Sequence, residues 1–235
     1  MSAWKYFVFA VWALALVGPA AVSAQEARPL DSMAQRMQAC AVCHGKEGRA
    51  SSEGYLPRIA GKPAGYLYNQ LVNFREGRRQ NAAMNHLMQH MSDDYLREIA
   101  RYFAELDLPY PAPQRAAVSD DVLVRGEGLV RRGDAKRDVP ACVACHGEQM
   151  TGMLPAVPGL LGLPRDYLIG QLGAWRTGHR KAMAPDCMAA IAKRLTDEDI
   201  AAAASWLAAQ PVPGGGKPAP APTTRGPMEC GSAIR

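Results

Sequence analysis

Four of the six cysteines fall into two copies of one pattern, Cys40-Ala-Val-Cys43-His44 and Cys142-Val-Ala-Cys145-His146. C-x-x-C-H is the spacing of c-type haem attachment. On a helical turn, two thiols three residues apart can each add across one haem vinyl group, and the histidine that follows presents its imidazole to the iron. Thioether bonds also retain a cofactor that a small domain could not trap by burial. Two other chemistries use cysteine pairs. A structural zinc site sets its pairs roughly 15–20 residues apart, far closer than Cys43 and Cys142. A thioredoxin-like pair needs a βαβ context, and the surroundings here read as helices. The motifs predict two covalently attached haem c groups, bound through Cys40, Cys43, Cys142 and Cys145, with His44 and His146 as axial ligands.

A second axial position on each iron remains to be filled. Methionine suits a high reduction potential, because a neutral thioether favours Fe(II). Met84 stands as far before Ser92 as Met188 stands before Thr196. This shared register selects Met84 over Met88 and Met188 over Met183, the other two being gap-filling core residues or the competing ligands. His86, His90 and His179 read as surface or pocket-edge side chains, with a bis-His haem as the alternative. Cys187 and Cys230 are left over. Cys187 follows Ala184-Pro185-Asp186, a stretch that the first half lacks, and Cys230 lies beyond a Pro-rich run. An even remainder in an oxidising compartment favours a disulfide between them; free thiols are the competing reading.

The elements that must hold these residues occur twice. Pro57-Arg58-Ile59-Ala60-Gly61 answers to Pro158-Gly159-Leu160-Leu161-Gly162. Tyr66-Leu67, Gln70-Leu71, Phe74-Arg75 and Gly77 answer to Tyr167-Leu168, Gln171-Leu172, Trp175-Arg176 and Gly178. Each half reads as three main helices. The first is Met33 to Cys43 in one half and Val122 to Gly133 in the other. The next begin near Pro63 and Pro164, with Pro in the first turn, and stop at Gly77 and Gly178. The last are capped by Ser92 and Thr196 with acids following. Ile99, Tyr102, Phe103 and Leu106 recur at helical spacing, as do Ile200, Ala203 and Leu207. Pro109-Tyr110-Pro111-Ala112-Pro113 breaks the helical pattern and reads as a linker. Pro211 to Pro222 reads as an extended tail.

The paired C-x-x-C-H motifs, the Q-L-x-x-[FW]-R-x-G segments and the matched Met-to-cap spacing resemble the dihaem cytochrome c4 family over residues 36–208. The resemblance implies an all-α protein of two tandem monohaem cytochrome c-like domains, packed near the haem propionates. The leader, the internal repeat, the linker and the Pro-rich run place a signal peptide at 1–24, domains at 25–112 and 113–210, and a tail at 211–235. The resemblance also implies that the carbonyls of Pro57 and Pro158 accept the proximal imidazole N–H, and electron shuttling from a cytochrome bc complex towards a terminal oxidase. Arg75 and Arg176 either meet propionates or only cap their helices.

Lys5, the apolar run Tyr6 to Val17 and Val22-Ser23-Ala24 read as an export signal cleaved before Gln25, which predicts a periplasmic protein; an uncleaved anchor is the alternative. Removing 1–24 takes away only Lys5 from a chain of net charge +5. No basic stripe is present, so nucleic acid is not an expected partner. With both irons closed by methionine and no nucleophile or carboxylate pair in view, an electron carrier is expected rather than an enzyme. A cytochrome subunit of a periplasmic dehydrogenase is the alternative, and a haem enzyme with an open iron is a further one. Redox proteins are the expected partners, and peripheral association with a membrane stays open.

Overall fold

The stretch expected as one helix, Met33 to Cys43, is two: α1 (Met33–Arg36) and α2 (Gln38–His44). A capping box between Ser32 and Gln35 satisfies the first N–H groups of α1. The chain then tightens at Met37, whose side chain is buried in the core, and restarts as the helix that carries Cys40, Cys43 and His44. The computed structural model describes residues 31–50, 55–114, 117–223 and 226–233. The leader expected at 1–24 lies outside them.

α3 (Ala64–Arg75) follows Pro63. The proline has extended backbone and stands just before the helix rather than within its first turn, as does Pro164 in the second half. α5 (Asp93–Ala104) begins after Ser92, whose hydroxyl accepts the Tyr95 N–H at 3.3 Å. Between them is a helix absent from the sequence reading, α4 (Ala82–Met88), capped by Asn81. Leu96, Ile99 and Phe103 of α5 meet Met37, Leu67, Phe74 and Met88 in one apolar cluster.

The second half repeats this order with α6 (Asp120–Arg132), α7 (Val143–His146), α8 (Arg165–Thr177), α9 (Cys187–Arg194) and α10 (Asp197–Ala208). α6 starts two residues earlier than Val122, on a pair of aspartates that suit a helix N-terminus. It crosses α10 at Gly126, where a Cβ would fall 2.2 Å from the Ala202 carbonyl oxygen. The buried Asp199 carboxylate accepts from Arg125 at 2.6 Å and from Arg137 at 2.5 Å, which ties the start of α10 to α6 and to the turn Ala135–Arg137. A short antiparallel pair, β1 (Gly152–Met153) and β2 (Val157–Pro158), leads into the turn that faces His146. Both halves belong to one compact unit, Asp31–Arg235. Among the described residues no helix is long and apolar enough to cross a membrane.

The linker and the tail are more ordered than expected. Arg58 donates to the carbonyls of Leu108 at 2.5 Å and Pro109 at 2.9 Å, and its guanidinium lies 4.0 Å from the centre of the Tyr110 ring. That ring occupies the space left by Gly162 and Gly216, since a Cβ on either would come within 2.3 Å of it. The tail is not a free extended run. Ala219 pairs in parallel with Met153, donating to Gly152 at 2.8 Å and accepting from Leu154 at 2.9 Å. Lys217 meets Asp107 at 3.1 Å. Farther on, Cys230 is joined to Cys187 by a disulfide, and the Ser232 carbonyl accepts from Asn69 of α3 at 2.9 Å. One short segment thus touches the linker, β1, α9 and α3.

Candidate functional site

Each motif histidine is fixed by a carbonyl. The Nδ1 of His44 lies 2.9 Å from the Pro57 oxygen, and that of His146 lies 2.7 Å from the Pro158 oxygen. A carbonyl can only accept, so Nδ1 carries the proton and Nε2 keeps its lone pair for a metal. Both rings are buried. Burial lowers their basicity more than the carbonyl bonds raise it, which keeps the imidazoles neutral and ligand-competent. After His44 the chain must reverse, and the Ala50 N–H returns to the His44 carbonyl at 2.8 Å. Gly45 makes this turn at φ 74°, where a Cβ would fall 2.2 Å from the Ala50 oxygen.

The remaining predicted residues sit on short helices. Cys40 of α2 and Met84 of α4 both pack against the first-half cluster. Asn81 caps α4 by accepting the Met84 N–H at 3.1 Å, so Met84 lies in the first turn. Met88 is 4% exposed and part of the core, the setting of a packing residue. In the second half Cys142 packs on the main cluster, and Met188 is half-buried in the first turn of α9, which is capped by Asp186. Met183 is also half-buried, in the loop before α9. His86, His90 and His179 are exposed.

Arg75 and Arg176 are engaged at the starts of the last helices. Arg75 pairs with Asp93 at 2.7 Å and donates to the Met91 carbonyl at 3.0 Å, and Arg176 pairs with Asp197. Each guanidinium is drawn to the acid that opens the last helix of its half.

Two other arginines, Arg79 and Arg180, meet where the halves touch. The backbone forms an antiparallel bridge there: the Gln80 N–H donates to His179 at 2.9 Å, and the Lys181 N–H donates to Arg78 at 2.7 Å. Arg79 donates to Gln70 at 3.0 Å, Gln171 at 2.7 Å and the Tyr167 hydroxyl at 3.1 Å. Arg180 returns the pattern, with Gln171 at 2.7 Å, Gln70 at 3.0 Å and the Tyr66 hydroxyl at 3.5 Å. Arg180 is only 5% exposed. Burial lowers its pKa, with Arg79 adding to the effect. Burial alone would raise the Tyr66 phenol, but the two guanidiniums outweigh it and lower its pKa. Among the described residues no carboxylate compensates the pair; their partners are amide and phenol oxygens. A buried charge without a counter-charge costs several kcal/mol, so the seam is chemically suited to an anionic group such as a haem propionate. Both arginines stand two places beyond the matched Gly77 and Gly178. The repeat could have revealed them had it been followed past those glycines.

Comparison with known proteins agrees with this chemistry. Residues 129–207 match the family model described as cytochrome c oxidase, cbb3-type, subunit III. A thiosulfate dehydrogenase electron acceptor of Thiomonas intermedia is 36% identical over 74% of this chain and 79% of its own length. Cytochrome c4 of Pseudomonas aeruginosa is 31% identical over 72% of this chain and 82% of its own. The structure of thiosulfate dehydrogenase (TsdBA) from Marichromatium purpuratum superposes with a TM-score of 0.66 at 32% identity. It covers 74% of this chain, which spans only 36% of that longer one. By identity and coverage, the chain belongs to the cytochrome c4 family, all-α c-type cytochromes with two cytochrome c domains and two covalently attached haem c groups.

Proposed function

We propose that this chain is a periplasmic electron carrier that takes electrons from a thiosulfate-oxidising dehydrogenase and passes them towards a terminal oxidase. The observation that carries the reading is the likeness to a thiosulfate dehydrogenase electron acceptor across 79% of that protein's length. The match to a family model described as an oxidase subunit supports the oxidase side. The second reading, implied by the resemblance to the cytochrome c4 family, has a cytochrome bc complex as the donor. The domains would lie at 25–112 and 113–210.

In this reading Cys40 and Cys43 hold one haem and Cys142 and Cys145 the other. His44 and Met84 close one iron, and His146 and Met188 the other. Each haem c, when bound, supplies a one-electron Fe(III)/Fe(II) couple. The protein does the rest. The Pro57 and Pro158 carbonyls fix the tautomer and angle of the imidazoles. Arg79 and Arg180 offer positive charge at the seam, where carboxylates from both sides would share it.

Mixing the oxidised holoprotein with a thiosulfate dehydrogenase and thiosulfate tests the donor. Reduction of both haems within milliseconds to seconds is expected, much faster than with thiosulfate alone. If the enzyme gives no acceleration while a cytochrome bc complex with quinol does, the second reading replaces the first.

A further inference from the structure

The halves are equivalent along the seam but not beside their proximal histidines. At the same offset that matches Tyr66 to Tyr167, Lys62 stands opposite Leu163. Leu163 is a buried member of its own apolar core. Lys62 instead leaves its half. Its ammonium, 4% exposed as a residue, donates to the Gly159 carbonyl at 3.2 Å. Gly159 directly follows Pro158, the acceptor for His146 Nδ1. A cation from the first half is therefore bonded to the very turn that orients the second proximal histidine.

The surroundings leave that charge uncompensated. The Tyr110 ring centre is 5.8 Å from Nζ, and Arg58 stacks on the same ring. Arg58 is itself a buried cation, but it spends its donors on the carbonyls of Ala60, Leu108 and Pro109. Asp107, between α5 and the linker, pairs with Lys217 of the tail. Burial, with Arg58 adding to it, pushes the Lys62 ammonium down to about 8, so it remains largely charged at neutral pH.

We infer that Lys62 is a potential-setting residue, a buried positive charge lent by the first half to the proximal side of the second haem. The inference rests on the dihaem reading above. Reduction removes one unit of positive charge from the iron, so a fixed cation nearby favours the reduced form. The matching position is Leu163, so the second half lends no lysine to the turn beside His44, where the buried cation is the first half's own Arg58. Lys62 thus raises the potential of the second haem.

Redox titration of the holoprotein, followed by visible spectroscopy, tests this with three variants. Lys62→Leu installs the residue found at the matching position, Lys62→Gln keeps a donor for Gly159 without the charge, and Lys62→Arg keeps the charge. Haem content is measured first; fewer than two haems in the unaltered protein would overturn the dihaem reading itself. With two haems present, Leu and Gln should each lower one potential, shifting the electron's distribution between the haems about tenfold, or 59 mV for a one-electron couple. Arg should leave it unchanged. The haem that moves should be the one whose spectrum changes in Met188→Ala. If neither potential moves in the Gln variant, or both move together, or the first haem moves alone, the inference is wrong.

Discussion

At Met84 and Met188 a flexible thioether is delivered by the first turn of a short helix, held in place by the Asn81 and Asp186 caps. If both are iron ligands, the weak red absorption band of Met–Fe(III) should be present for two haems. It should fall by half in Met84→Ala and by half in Met188→Ala. Retention of the full band in either variant would reassign that ligand, to Met88 or Met183. The cysteines and histidines were legible in the sequence, because covalent attachment tolerates almost no variation in spacing, and their proline acceptors followed from the family resemblance. Arg79, Arg180 and Lys62 were not. Their meaning lies in contacts between halves, and an arginine or lysine in a helix–turn stretch looks like a solvated charge until its burial is known. The same ambiguity left the roles of Arg75 and Arg176 open in the sequence, because their acids Asp93 and Asp197 lie on another helix.

Among the helices, those with strong start signals were legible. Ser92 and Thr196 cap α5 and α10 as their sequences suggest. α4 and α9 were missed because helices of 7 and 8 residues are too short to show a clear apolar period. They are also too short to persist on propensity alone, so packing on the cluster around them must hold them. The crossing of α6 and α10 offers a sharper test. Gly126→Ala gains about 1 kcal/mol of helix propensity. It also drives a methyl into the Ala202 carbonyl and the Trp206 Cβ, with no flexible end to yield. Overpacking of this kind costs about 1–3 kcal/mol, and a backbone contact belongs at the upper end. A net loss of about 2 kcal/mol in denaturant unfolding is expected. A variant more stable than the parent would mean that the helices separate at little cost.

For the molecule as a whole, the linker and tail are the parts that composition misjudged. Proline-rich stretches look loose because they lack helical and strand periodicity, yet here one is clamped by Arg58 and the other pinned at its far end by the disulfide. The cross-link spans 43 residues, worth about 4 kcal/mol in the chain-entropy model. Cys230→Ser should lower thermal stability accordingly and make the tail beyond Gly216 sensitive to protease. Equal protease resistance in both forms would show that Ala219 and Ser232 hold the tail unaided. The bridge at Arg79 and Arg180 has a different consequence. Gln80 meets His179 as Lys181 meets Arg78, and each arginine reaches both glutamines. Such reciprocity is the mark of a two-fold, isologous contact. Seen as history, the chain has the form of a symmetric pair of single-haem proteins whose genes were joined, with Lys62 recording where the twins have since diverged.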